Sequence, residues 1–153
     1  MMRLAGVLYR PIGLTVMIKA RPEDVWAVVA DLPSQPRWMT DALVVSVEAE
    51  GPYGVGTRAR VPTRIAGITV NDVIEITHWD PPRLLGIRHS GLFSGQGSIS
   101  IEPAGAGSRL ELNEDLRPPL GVLGMAAFRI GRPLIRRQFA ANLGRLKRLV
   151  EGA

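Results

Sequence analysis

With two histidines and no cysteine, this 153-residue chain has few groups able to do chemistry. Thiolate catalysis, disulfides and cysteine-ligated zinc or iron–sulfur centres are excluded. Imidazole and carboxylate remain, and several of them fall in β-rich runs, where strand alternation decides which way each side chain faces. In 68–79 the even positions Ile68, Val70, Ile74 and Ile76 are apolar, which carries Asp72 and His78 to the same inner face. In 84–90, Leu85 and Ile87 place His89 inside, although Leu84 leaves the opposite register open. In 109–116 the inner set is Leu110, Leu112, Glu114 and Leu116; in 93–102 it is Phe93, Gly95, Gly97, Ile99 and Ile101. Tight connections set Gly95 beside His89 and Gly97 beside Glu114, so imidazole and carboxylate look at each other across a floor without side chains. An acid beside an imidazole in an oily pocket has a pKa set by desolvation against mutual attraction, the usual making of acid/base groups. His89 and Glu114, with Asp72 nearby, are therefore the candidate catalytic residues, placed to orient or protonate a ligand oxygen. The competing reading is a binding or structural role, with each group hydrogen-bonded at a cavity mouth.

The elements that would position these groups follow from spacing. Residues 12–19 form a β-rich run, and Pro22-Glu23-Asp24 opens a helix to Leu32, with proline at its start and acids in its first turn. A short helical turn over 35–39 carries Trp38 and Met39. Six further β runs are expected over 42–50, 55–63, 68–79, 84–90, 93–102 and 109–116. Gly51-Pro52, Ala66-Gly67, Asp80-Pro81-Pro82 and Ala104-Gly105 punctuate them. No segment of crossover length intervenes, so the sheet is antiparallel. The stretch 119–151 repeats Leu123, Ala127, Ile130, Leu134 and then Phe139, Leu143, Leu146, Val150 at helical spacing. It predicts one long helix with a kink at Pro133 eased by Gly131. The expected architecture is an α+β curved sheet of seven strands around a C-terminal helix, in a single domain over 1–153.

The segments Ile18-Lys19-Ala20-Arg21-Pro22-Glu23-Asp24-Val25-Trp26, Asp31-Leu32, Trp38, Val55-Gly56-Thr57-Arg58 and Trp79-Asp80-Pro81-Pro82-Arg83-Leu84 resemble the polyketide cyclase/dehydrase-like branch of the START/Bet v 1-like (SRPBCC) superfamily. The resemblance implies a helix-grip fold with a hydrophobic ligand cavity between sheet and helix. Inner positions Val61, Ile74, Ile76, Ile87, Phe93, Ile99 and Leu112 are then candidate ligand contacts. Gly95 and Gly97 of the floor, Trp38 and Met39 of the helical turn, and Met125 and Ile130 of the long helix complete the set. The family's access loop corresponds to 63–67, which is short, so access is expected to depend on 118–121 opening. No run matches a catalytic signature of the polyketide aromatases, and no catalytic residue carries over.

The function expected is binding of a small hydrophobic or aromatic molecule of lipid, polyketide or isoprenoid type. The alternative is a polyketide cyclase, aromatase or dehydratase using the cavity's acid/base groups. A third reading is an interaction module. It rests on a net charge of +5 and on Arg129, Arg132, Arg136, Arg137, Arg145, Lys147 and Arg148 of the last helix, a solvated face that could meet an acidic protein partner or a membrane surface. Aromatic residues at 5% offer no stacking platform, so no nucleic acid is expected. No cofactor or metal motif occurs: there is no phosphate-binding loop or dinucleotide fingerprint, and the spacings among Asp72, His78, His89 and Glu114 match no metal site. No apolar run reaches the ~18 residues of a spanning helix. The opening Met1–Pro11 stretch lacks a signal-peptide pattern, making the cytoplasm the expected location.

Overall fold

A computed structural model of the chain describes residues 11–48, 50–65 and 67–152. The opening segment before Pro11 lies outside them. Seven strands, β1 (Ile12–Ile18), β2 (Ser46–Val47), β3 (Arg58–Ile65), β4 (Ile68–Asp80), β5 (Leu84–Ser90), β6 (Ser94–Ala104) and β7 (Gly107–Arg117), form one antiparallel sheet in the order β1-β7-β6-β5-β4-β3-β2. Helix α1 (Pro22–Val29) and a 3-10 segment (Leu32–Arg37) follow β1, and the long helix α2 (Gly121–Glu151) closes the chain. This is the helix-grip arrangement.

One buried core lies between the sheet and the helices. There Val25, Trp26 and Val29 of α1 meet Ile101 of β6, Leu110 of β7 and Leu143 and Leu146 of α2. Trp26 and Trp79 stack edge to face with ring centroids 5.1 Å apart, a geometry that favours ring pairs by about 0.5–1.5 kcal/mol. Two of the three tryptophans thereby pack on each other, and Trp38 is buried in the same cluster.

Three expectations need correction. The run 42–50 pairs as a strand only at Ser46–Val47, with an isolated bridge from Ala42 to Thr63. Opposite it stands Pro62, whose carbonyl accepts from Leu43 N–H but which has no N–H to return, so the ladder lapses. His78 does not share the inner face. The register shifts between Ile76 and His78, so alternation turns His78 outward and Trp79 inward. The stripe in the first half of α2 faces solvent: Leu123 is 79% exposed and Ile130 83%. The buried positions of α2 are Ile135, Asn142, Leu143 and Leu146, of which only Ile135 falls in that half, and the helix continues through Pro133.

The basic side of α2 lies along the sheet's outer edge. Arg132 donates to Pro11 O (2.9 Å), Arg136 to Gly13 O (2.8 Å) and Lys147 to Met17 O (2.7 Å). These carbonyls share one parity of an edge strand, the set that points away from its only neighbour. No helix among the described residues is long and apolar enough to cross a membrane.

Candidate functional site

Between the sheet and the C-terminal half of α2 lies a cavity of about 110 Å³. On that scale one water needs roughly 10–15 Å³, so the space holds several waters or a small ring system. Strand parity builds its wall: Val61 (β3), Ile74 (β4), Ile87 (β5), Ile99 (β6) and Leu112 (β7) all line it. Trp38 and Met39, just after the 3-10 segment, close one side, and Phe139 and Leu143 of α2 form the roof. Phe93 in the β5–β6 turn also lines it, and its ring lies 6.1 Å from that of Phe128.

Into this apolar wall the sheet inserts one polar array. His89 Nδ1 lies 2.7 Å from Asp72 Oδ2 and its Nε2 lies 3.1 Å from Glu114 Oε2. All three side chains are largely buried, at 12% exposure for His89, 16% for Asp72 and 12% for Glu114. The register explains the meeting. His89 pairs with Ile74 on β4 and Gly95 on β6, so Asp72 and Glu114 approach it diagonally from either side. Glu114 must cross β6 to do so, and it crosses above Gly97, where a Cβ would stand 2.6 Å from both carboxylate oxygens. Gly95 has φ +125°, and a Cβ there would strike Asp115 O; only glycine fits.

Burial alone pulls the His89 pKa down and is the largest single influence. The hydrogen bonds to Asp72 and Glu114 and the charges of both carboxylates together outweigh it and raise the pKa from 6.5 to about 10. His89 is thus an imidazolium at neutral pH and donates through both nitrogens. Both ring nitrogens are engaged by carboxylates, and among the described residues no cluster of three or more His, Asp or Glu is arranged to hold a metal ion.

A second polar pair completes the wall. Asn142 Nδ2 donates to Asp41 Oδ1, both residues being buried lining groups, and Arg145 Nη1 donates to Asn142 Oδ1 at 3.1 Å. Sequence reasoning missed this pair because its members lie 101 residues apart with no local signal. Phe139 and Leu143 did have a signal, since both belong to the helical stripe.

The remaining candidates lie elsewhere. Ile76 is 1% exposed and packs in the core rather than on the cavity. Gly95 and Gly97 form the floor beneath the array. Met125 and Ile130 do not line the cavity, because the first half of α2 turns a different face to the sheet.

The sequence matches the family model for polyketide cyclase/dehydrase and lipid transport over residues 12–151. The chain belongs to that family. As a member of the SRPBCC superfamily it shares its fold with several solved structures. TTHA0849 from Thermus thermophilus superposes with a TM-score of 0.80 at 22% identity, covering 92% of this chain and 97% of that one. The Zhui aromatase/cyclase from Streptomyces sp. R1128 gives 0.74 at 20% identity, covering 93% of each chain. Ara h 8.0201 gives 0.68 at 14% identity, covering 94% of this chain and 99% of that one. At these identities the likeness to all three is one of fold. No curated protein matches the sequence.

Proposed function

We propose that this protein binds a small hydrophobic or aromatic molecule of lipid, polyketide or isoprenoid type in the cavity between sheet and α2, oriented by the Asp72–His89–Glu114 array. The observation that carries the reading is a buried, charged array set in a largely apolar cavity that the side chains leave open. A protein gains no stability from holding such a space open, and buried polar groups in a concave apolar site typically fix a ligand's orientation.

A second reading, cyclisation or dehydration of a polyketide-like chain, draws on the same array and on the fold shared with an aromatase/cyclase. The charge state weighs against His89 as its base. With a pKa near 10, only about one molecule in a thousand carries a neutral imidazole at pH 7. In that reading a carboxylate takes the proton.

The test is native mass spectrometry of freshly purified protein, with titration by the neutral probe N-phenyl-1-naphthylamine. One equivalent should bind to the wild type and none to Ile99→Trp, which fills the cavity. A folded wild type that takes up neither probe nor co-purifying molecule refutes the reading. A bound molecule released one water lighter than it entered favours the enzyme.

A further inference from the structure

The cavity's charges and hydrogen-bond donors, taken together, restrict what can occupy it. Its charged lining groups are Asp72 on β4, His89 on β5, Glu114 on β7 and Asp41 in the loop before β2. Among the described residues no lysine or arginine lines it. Arg145 reaches the Asn142 carbonyl oxygen and is not among the residues lining the cavity. Three carboxylates against one imidazolium leave the wall with a net negative formal charge.

The donors point the same way. Both nitrogens of His89 are turned onto carboxylates. Gln35 donates to Val29 O, Thr63 to Val61 O and Asn142 to Asp41. Glu114 bonds through Oε2, while its Oε1 has no hydrogen-bond partner among the described residues and is not sealed from the cavity. Trp38 lines the cavity, but its indole N–H, without a partner among the described residues, is itself sealed from the space. The wall therefore offers an anionic acceptor, neutral donors only from the Ser98 hydroxyl and the second amide hydrogens of Gln35 and Asn142, and, among the described residues, no cation free to meet an anionic head.

Resting on the ligand-binding reading above, we infer that the occupant is a neutral hydroxylated molecule of phenol or enol type, whose O–H donates to the Glu114 carboxylate, and that carboxylate-headed lipids are excluded. A carboxylate brought within ~5 Å of this net negative wall, at an effective dielectric near 20, is opposed on the order of a hundredfold in affinity. A hydroxyl meets no such opposition and gains a charge-assisted hydrogen bond, of the order of tenfold over a bare ring.

Three probes of one shape separate this inference from the reading beneath it: naphthalene, 2-naphthol and 2-naphthoate, titrated at pH 7 by calorimetry and tryptophan fluorescence. The expected order is naphthol about tenfold tighter than naphthalene, and naphthoate roughly a hundredfold weaker than naphthol. In Glu114→Gln the naphthoate penalty should shrink about tenfold or more, a change in ratio that loss of fold does not produce. Naphthoate binding as tightly as naphthol overturns the inference and leaves cavity binding standing. Naphthol no better than naphthalene also overturns it, because Glu114 then accepts nothing. Failure of all three to bind folded protein overturns both.

Discussion

Replacing Gly97 by alanine tests whether the bare floor of β6 is what lets a carboxylate reach the imidazole. The new Cβ would stand 2.6 Å from both oxygens of Glu114, so the carboxylate must swing away and surrender its 3.1 Å contact with His89 Nε2. Glu114 supplies one of two hydrogen bonds and one of two charges that lift His89 to about 10 against its burial. Its departure should lower that pKa by roughly one to two units, or about 1.4–2.7 kcal/mol at 1.36 kcal/mol per unit. The sign follows from linkage. A folded pKa raised above its unfolded value contributes stability that is fully present below 6.5 and is lost as pH rises through about 10. Wild type and variant should therefore differ fully at pH 6 and converge as pH nears 10. Alanine in a strand recovers about 0.5–1 kcal/mol at every pH. The variant is expected to be destabilised by about 1 kcal/mol at pH 6 and to be neutral or slightly more stable above pH 10, as read by urea unfolding at a series of pH values. NMR titration of the two histidines, with exposed His78 as internal control, reads the pKa directly. A His89 that still titrates near 10 in Gly97→Ala refutes the reasoning. In a Glu114→Ala background, where nothing obstructs the methyl group, Gly97→Ala should cost nothing.

Two further substitutions probe the surroundings of the site. Asn142→Leu strips the buried Asp41 carboxylate of its side-chain donor and should cost about 2–3 kcal/mol in urea unfolding, partly recovered by adding Asp41→Asn; a loss under about 0.5 kcal/mol would show that the pair is not a working contact. Leu120, the residue before α2, sits at φ 71° and is 80% exposed. Leu120→Asn should thus relieve left-handed strain without losing packing, gaining about 0.5–1 kcal/mol and raising Tm by about 1–4 °C, whereas an unchanged or lowered Tm would contradict it.

Much of the sheet is legible in the sequence because alternation is a strict rule within an unbroken strand. It places Asp72, His89 and Glu114 on one face, and turn positions then set Gly95 and Gly97 opposite them. The rule fails at Thr77, where a register shift after Ile76 inverts it for His78 and Trp79; nothing in the local sequence marks a bulge. The first half of α2 misleads for another reason. Leu123, Ile130 and Leu134 define one apolar side and Met125, Phe128 and Ile135 another, so helical period alone has two solutions. Contact with the edge of β1, through Arg132 and Arg136, selects the second. Distant pairings such as Asp41 with Asn142 leave no periodic trace at all.

The cations of α2 that reach the carbonyls of β1 also bear on self-association. An open sheet invites an intruding backbone along its rim, the first step toward ribbons and fibres. Here a newcomer at β1 would have to displace Arg132, Arg136 and Lys147 in turn, each a charged donor already in place. The opposite rim pairs over only Ser46–Val47, too brief a template for lengthwise growth. Part of the chain's positive charge thus guards it against its own copies.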